Sequence, residues 1–389
     1  MRTVIKNAKI VMADKVFLGA IAFENGIIEY IGEDEISSDK VIDAGGSYVV
    51  PGFVEIHCHG GNNLEFMDAS AEEFGKIAEF HMAHGTTTLY PTTVTASEEE
   101  ILCALDTFAE YKKNHPNSTL IGAHLEGPFV NPKQSGALDP DFMKLPNAEK
   151  VKEWKEKYPF IDRISAAPEL EGGYEFGEAM EKMGIVVSAA HTDANFADLE
   201  EALKHGYHLI THLYSGMKMT ERVNAYRVAG GVEAGLYFDD YYVEIIADGK
   251  HLPKELLKYI YKLKGADRIC MITDAIRAAG LPNGTFTKIG SMETGFDVIV
   301  EDDVAKLPNR QAFAGSTATS DRLFRTMAEA IGKSDEAIIA ISKMTSTTPA
   351  KVMGLSDRGE IAVGKLADLV ILNADTLDVE RVITDKVNI

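Results

Sequence analysis

The sequence predicts a (β/α)8 TIM barrel flanked by a small β-sandwich domain made from both chain ends. Three observations predict it. Helix-like segments end in glycine and pass directly into β-rich runs: "EFHMAHG" into "TTTLYPTT", "EKMG" into "IVVSAAH", "EALKHG" into "YHLITHL", and "YIYKLKG" into "ADRICMITD". A glycine just after a helix supplies the left-handed cap, so each of these is an αβ junction. Eight apolar runs follow such junctions or precede helices, near 53–57, 86–92, 119–126, 162–168, 185–191, 209–213, 242–248 and 268–274. Eight strands alternating with helices close into a barrel. The chain ends, by contrast, read as β-hairpins.

Residues 1–51 form short alternating runs, "TVIKNAKIVM", "GAIAFENGIIEYIG" and "KVIDAGGSYVV", broken by Asn-Gly and Gly-Gly turn signals. The tail has the same texture in "GEIAVGKLADLVILNAD". Residues 1–51 and 355–389 are therefore assigned to one small β-domain and 52–354 to the barrel. In 71–84, Phe74, Ile77, Ala78 and His81 share one helical stripe, and in 253–264 Leu256, Ile260 and Leu263 do the same. Residues 281–312 read as a β-hairpin insertion after the eighth strand, a position that overhangs the barrel mouth. Trp154, on the charged "AEKVKEWKEKYPF" helix, is expected on an exposed face.

Composition limits the function classes. The 389 residues are 45% hydrophobic and 25% charged, as in ordinary globular proteins, and carry a formal charge of −21. That charge disfavours nucleic acid and anionic membrane as partners. No apolar run reaches the length of a membrane span, and the N-terminal charges do not suit a secretory signal. Three cysteines, Cys58, Cys103 and Cys270, show no CxxC spacing and fit a reducing, cytoplasmic setting. None is read as functional.

The polar residues of the barrel fall on one face. His57 and His59 end strand one, Glu126 strand three, His191 strand five and His212 strand six. Asp248 and His251 follow strand seven, and Asp274 closes strand eight. The His57/His59 pair alone fits a metal pair or a strand-end cap equally. Gathered with the others at the C-terminal strand ends, where barrel active sites are assembled, the set points to metal. Four imidazoles and two carboxylates suit Zn²⁺ or Fe²⁺ rather than Mg²⁺ or Ca²⁺, and a bridging carboxylate between two ions accounts for the ligand number. Such ions bring the pKa of water toward neutrality. Asp274 is then suited to general base and acid catalysis. His124 shares a strand face with Glu126 and is either a support of the ligands or core. Asn195 and Asp193 are read as helix caps, and His81, His84, His115 and His205 as solvated.

The combination of "PGFVEIHCHGG", "HLEGP", "AHTDAN", "THLYSGM", "ADGKH", "TDA", "AGS" and "GEIAVGKLADLVIL" resembles the amidohydrolase superfamily, and within it the N-acetylglucosamine-6-phosphate deacetylases. The resemblance runs from Pro51 to about Asp368. Strand four, "DRISAAPEL", lacks the lysine that is carboxylated in hydantoinase-like members.

The resemblance implies that His57, His59 and Glu126 hold one metal, and Glu126, His191 and His212 another. It implies Asp274 as catalytic acid/base, also touching the first metal, and His251 as a hydrogen-bonding partner of the substrate. Ala314, Gly315 and Ser316 would line the pocket, and Arg222 or Arg227 would reach the phosphate, in relatives often from a neighbouring subunit of a homodimer. The implied substrate is an amino-sugar phosphate, with N-acetylgalactosamine-6-phosphate as the alternative and a noncatalytic sugar-phosphate receptor as a more distant one.

The chain departs from the family pattern at three places. Leu138 stands where relatives have a carbonyl-polarising histidine, Ser215 and Gly216 replace an asparagine and an alanine at the phosphate, and "KMTERVNAYRVAGG" is longer than usual.

Overall fold

The computed structural model describes residues 1–34 and 36–389. Eight parallel strands run in sequence order around the barrel: β1 (Phe53–Cys58), β2 (Thr86–Thr93), β3 (Ala123–Glu126), β4 (Ile161–Ala166), β5 (Val186–Ala189), β6 (Leu209–Ile210), β7 (Tyr242–Ile245) and β8 (Ile269–Met271). Closure between β1 and β8 comes from a parallel bridge, Cys58 to Ala275, and from the Asp274 N–H donating to the His57 carbonyl at 3.0 Å. Closing the sheet removes its edges.

One helix follows each strand: α1 (Ala71–Ala83), α2 (Glu98–Asn114), α3 (Ala148–Lys157), α4 (Gly173–Lys182), α5 (Phe196–Leu203), α6 (Gly231–Tyr237), α7 (Lys254–Lys264) and α8 (Ser320–Ile331). Their starts are written in the sequence. Ser70 with Glu73 and Ser97 with Glu100 form reciprocal capping boxes, and Asn195 caps α5 together with Asp198. Phe74, Ile77, Ala78 and His81 are the buried face of α1, as the period predicts.

Three expectations are corrected by packing. In α7 the buried face is Leu257, Ile260 and Lys264, while Leu263 is exposed. The lysine stem packs inward and its Nζ donates to the Phe238 carbonyl at 2.7 Å, so a charged residue holds a place that polarity alone would send outside. Trp154 is buried, stacked near Phe129, with its indole N–H donating to Glu98 at 3.4 Å. His81 is fully buried; its Nε2 meets the Gly60 carbonyl at 2.9 Å and the Cys58 Sγ at 3.2 Å, and burial pushes its pKa down to about 4.

The two chain ends form a separate seven-stranded mixed sheet. Tyr48–Pro51 pairs in parallel with the first strand, Arg2–Val11, and antiparallel with Leu369–Leu372, which joins the two ends of the chain. Ile5, Ile10, Ile21, Ile28, Val49 and Leu369 make its own core. The expected hairpin insertion is a three-stranded antiparallel sheet, Phe286–Ile289, Phe296–Glu301 and Val304–Lys306. No helix among the described residues is long and apolar enough to cross a membrane.

Candidate metal centre

Strands β5, β6 and β8 end sooner than the apolar runs suggest, because His191, His212 and Asp274 turn out of the sheet. His191, His212 and Asp274 have φ of 43°, 28° and 49°. Non-glycine residues avoid this left-handed region, and a site that keeps three such residues is held there by its surroundings. Asp274 is held by its own N–H on the His57 carbonyl and by the Ser316 N–H on its carbonyl at 2.7 Å.

The result is a cluster around one carboxylate. Glu126 Oε1 lies 3.5 Å from His57 Nε2, 3.3 Å from His191 Nε2 and 2.9 Å from His212 Nε2, and its Oε2 lies 3.3 Å from His59 Nε2. Asp274 Oδ1 lies 3.1 Å from His59 Nε2 and 3.4 Å from His57 Nε2. Two triads emerge, His57–His59–Glu126 and Glu126–His191–His212, all buried. A tetrahedral ion with ligands at about 2.1 Å sets its donors about 3.4 Å apart, which is the spacing found here. Imidazole nitrogen and carboxylate oxygen are also the donors that zinc or ferrous ion take.

Each histidine is fixed from behind. The Nδ1 of His59 meets the Thr92 carbonyl at 3.2 Å, that of His191 the Gln134 carbonyl at 2.7 Å, and that of His212 the Ser215 carbonyl at 3.1 Å. The Nδ1 of His57 faces Glu244 Oε2 at 3.4 Å. An acceptor at Nδ1 places the proton there and leaves Nε2 as the free donor to metal.

The electrostatics favour cations. Burial alone would lower the pKa values of His57 and His59. The Glu126 and Asp274 carboxylates outweigh it, raising them to about 9 and about 10. Burial likewise opposes ionisation of Glu126 and Asp274, yet the facing histidines hold both below the usual carboxylate range. A site that draws protons this strongly has the negative potential that a divalent cation needs.

The centre opens into a cavity of about 160 Å³, whose lining includes Leu138, Ser215, Gly216, His251, Phe313 and Gly315. The His251 Nδ1–H donates to Asp248 Oδ2 at 2.9 Å, and its ring lies against Phe313. Gly315 has φ of 53°, and a Cβ there would sit 2.8 Å from the Asp274 carbonyl oxygen, so only glycine lets the strand-like segment pass this close.

Several sequence-derived assignments find a different place. Of the Ala314–Ser316 segment, expected to meet the pocket through its backbone, Gly315 lines the cavity, while the side chains of Ala314 and Ser316 are fully buried and the Ser316 N–H holds the Asp274 carbonyl. The Ser215 N–H is committed to the His212 carbonyl at 2.8 Å, so that residue offers the cavity its hydroxyl. Arg222 and Arg227 face each other across an exposed hairpin, Glu221–Val223 and Tyr226–Val228, and stand outside their own chain's cavity.

A model of the amidohydrolase family matches residues 48–388. The chain belongs to that family. This amidohydrolase is 32% identical to the N-acetylglucosamine-6-phosphate deacetylase of Bacillus subtilis (strain 168), over 95% of this chain and 93% of that one. With the enzyme of the same name from Lysinibacillus sphaericus it shares 31% identity, over 86% and 84% of the two chains. Among solved structures, a mutant N-acetyl-D-glucosamine-6-phosphate deacetylase from Mycobacterium smegmatis, in complex with N-acetyl-D-glucosamine-6-phosphate, superposes with a TM-score of 0.90 at 27% identity, covering 98% of each chain. The family is metal-dependent, which agrees with the two triads.

The amidohydrolase centre also rests on residues that motif reading missed. Glu244, fully buried on β7, faces His57 and accepts the His212 N–H at 3.3 Å, so it touches a ligand of each triad. Its other oxygen is paired with Arg163 of β4, itself anchored on the Ile56 carbonyl at 2.9 Å and on Thr211 at 3.0 Å. Glu169 accepts the Asp193 N–H at 2.7 Å and the Thr192 hydroxyl, fixing the turn after His191. His124 proves to be barrel core beneath the ligands, on Ser165 at 2.8 Å with its ring edge against His57. The signal available in the sequence was a charge inside an apolar strand, "YVEII" and "DRISA", since unpaired charges are not buried.

Proposed function

We propose that this amidohydrolase removes the N-acetyl group of N-acetylglucosamine-6-phosphate, releasing acetate and glucosamine-6-phosphate. The observation that carries the reading is the double triad on Glu126 with Asp274 beside it, at the mouth of a barrel whose named relatives are deacetylases of that substrate. A bound divalent ion supplies Lewis acidity toward the acyl carbonyl and lowers the pKa of water.

The chain's own groups do the rest. Asp274, ionised at rest, accepts the proton of the attacking water as its oxygen joins the acyl carbon, then passes that proton to the amine nitrogen as the C–N bond breaks. Asp248 orients the His251 ring at Nδ1 and leaves Nε2 for the substrate. Leu138 offers no hydrogen bond to the carbonyl, so polarisation would be left to a metal held by the triads, alone or with His251 as a donor.

The cavity lining contains no lysine or arginine, and the sugar phosphate is anionic. We therefore assign its charge to Arg222 or Arg227 of a second copy, in a cytoplasmic homodimer loaded with two Zn²⁺ or Fe²⁺ ions per chain. Arg227→Ala or Arg222→Ala should raise KM for the phosphorylated sugar and spare kcat, and a monomer by light scattering would exclude the arrangement. The reading as a whole is tested by acetate release from N-acetylglucosamine-6-phosphate, its galactosamine epimer and both unphosphorylated sugars. Preference for the glucosamine phosphate is expected. Preference for the epimer would move the substrate and keep the chemistry, and silence on all four would overturn the proposal.

A further inference from the structure

The cavity at the metal centre has unlike walls. One carries the polar groups, His251, Ser215 and the backbone at Gly216, with the Phe313 ring beside His251. Another, made by Ala137, Leu138 and Ile289, presents only hydrocarbon side chains. The segment that carries Leu138 is fixed to the centre at two points: the Asn131 N–H donates to the His191 carbonyl at 2.9 Å, and the Gln134 carbonyl meets His191 Nδ1 at 2.7 Å. The apolar wall therefore has a set position relative to the metal ligands.

A substrate with its amide carbonyl at the triads must divide its remaining parts between these walls. Hydroxyls and a phosphate lose hydrogen bonds against hydrocarbon, and an acyl chain has nothing to offer His251 or Ser215. The acyl substituent thus belongs on Leu138 and Ile289. Beside those residues lies a second cavity of about 30 Å³, which shares Ala137, Leu138 and Ile289 with the first and is further lined by Val94, Phe142 and Phe296 and, on its polar side, by Glu100 and Asp139. Roughly 10–15 Å³ by this measure admits one water-sized group, so the space beyond the wall suits one or two extra methylenes.

We propose that Leu138 and Ile289 form an acyl subsite, and that the enzyme cleaves N-propionyl and N-butyryl as well as N-acetyl amino-sugar phosphates. The inference rests on the deacetylase reading above. The reaction balances in the same way for each acyl group: the water oxygen joins the acyl carbon, the C–N bond breaks, a proton goes to the amine, and a carboxylate leaves.

The test compares kcat/KM of metal-loaded enzyme on N-acetyl-, N-propionyl- and N-butyrylglucosamine-6-phosphate, following release of glucosamine-6-phosphate. Propionyl within about tenfold of acetyl is expected, since a methylene in a pocket without room for it costs roughly 10- to 200-fold. Leu138→Phe should lower the propionyl-to-acetyl ratio at least tenfold, and Leu138→Ala should raise the butyryl-to-acetyl ratio. Ile289→Phe repeats the first comparison from the other side, should Leu138→Phe not fold. Rejection of propionyl by more than a hundredfold, or ratios unmoved by all three variants, overturns the subsite. Silence on the acetyl arm as well overturns the deacetylase reading and the subsite with it, so the acetyl arm tells the two failures apart.

Discussion

The mouth and the floor of the barrel both bury charged side chains, and they do so in opposite ways. At the floor, Lys386 pairs with Asp368 and donates to the Thr87 carbonyl at 2.8 Å, while Asn388 accepts the Thr119 N–H at 2.8 Å and hydroxyl at 2.9 Å. Opposite charges there cancel in place, and the C-terminal tail is latched under β2 and α2. At the mouth, carboxylates and histidines crowd one point with no lysine or arginine among the described residues that line the cavity, on backbone that three residues hold in a disfavoured region. The floor spends its polar groups on holding the chain together. The mouth holds carboxylates whose charge is met by protons on His57 and His59 or, once those are displaced, by a bound cation.

The comparison can be broken most strongly at Asp274. Asp274→Asn keeps the shape of the side chain and removes the proton acceptor, so kcat should fall by at least the roughly 10²- to 10⁴-fold ascribed to general acid–base catalysis. Metal content by elemental analysis should stay close to that of the parent, and a variant with unchanged turnover would remove Asp274 from the mechanism. Lys386→Met is the complementary break at the floor. It leaves Asp368 buried and unpaired, at about 3–5 kcal/mol, and should lower Tm while the specific activity of folded protein persists. If activity were lost and Tm kept, the division of labour between the two ends would be wrong.

Glu244→Gln sharpens the contrast, because Glu244 is a balanced pair of the floor's kind placed beneath the mouth. Its loss should weaken metal binding roughly 10- to 100-fold, measured by chelator competition. Both ions should respond, since Glu244 touches His57 of one triad and His212 of the other.

The smallest effect is on protons. With folded-state pKa values raised to about 9 and about 10, His57 and His59 carry protons at Nε2 below that range, and metal must displace them. Proton release on loading apoprotein, followed by titration calorimetry in buffers of different ionisation enthalpy, should be largest below about pH 9 and vanish above about pH 10. Release independent of pH would show that the carboxylates do not raise these histidines.

The same contrast explains what the sequence made legible. His57, His59, Glu126, His191, His212 and Asp274 were readable because each sits at a strand end, where the apolar pattern stops and chemistry is exposed to view. The helices of the barrel were readable from capping serines and from stripes such as Phe74, Ile77 and Ala78. Glu244 and Arg163 were not, because their partners are brought from other strands and nothing local announces an ion pair formed across a barrel. Trp154, His81 and Lys264 were misplaced for a related reason. A side chain with one polar atom can be buried once that atom finds a partner, and the partner is set by tertiary structure. Arg222 and Arg227 mark another limit, since both lie on an exposed hairpin and no local pattern says what they meet.

Only Gly52 separates Tyr48–Pro51 of the terminal sheet from β1, the strand of His57 and His59. The segment that covers Tyr48–Pro51 is Leu369–Leu372, made after every strand of the barrel. On the ribosome His57 and His59 are translated with the first barrel strand, yet the sheet from which that strand hangs cannot be finished until all eight barrel strands have emerged. Ordering of the centre is in this way coupled to synthesis of a segment that follows the barrel, and a chain terminated before Leu369 lacks the strand that would steady its histidines.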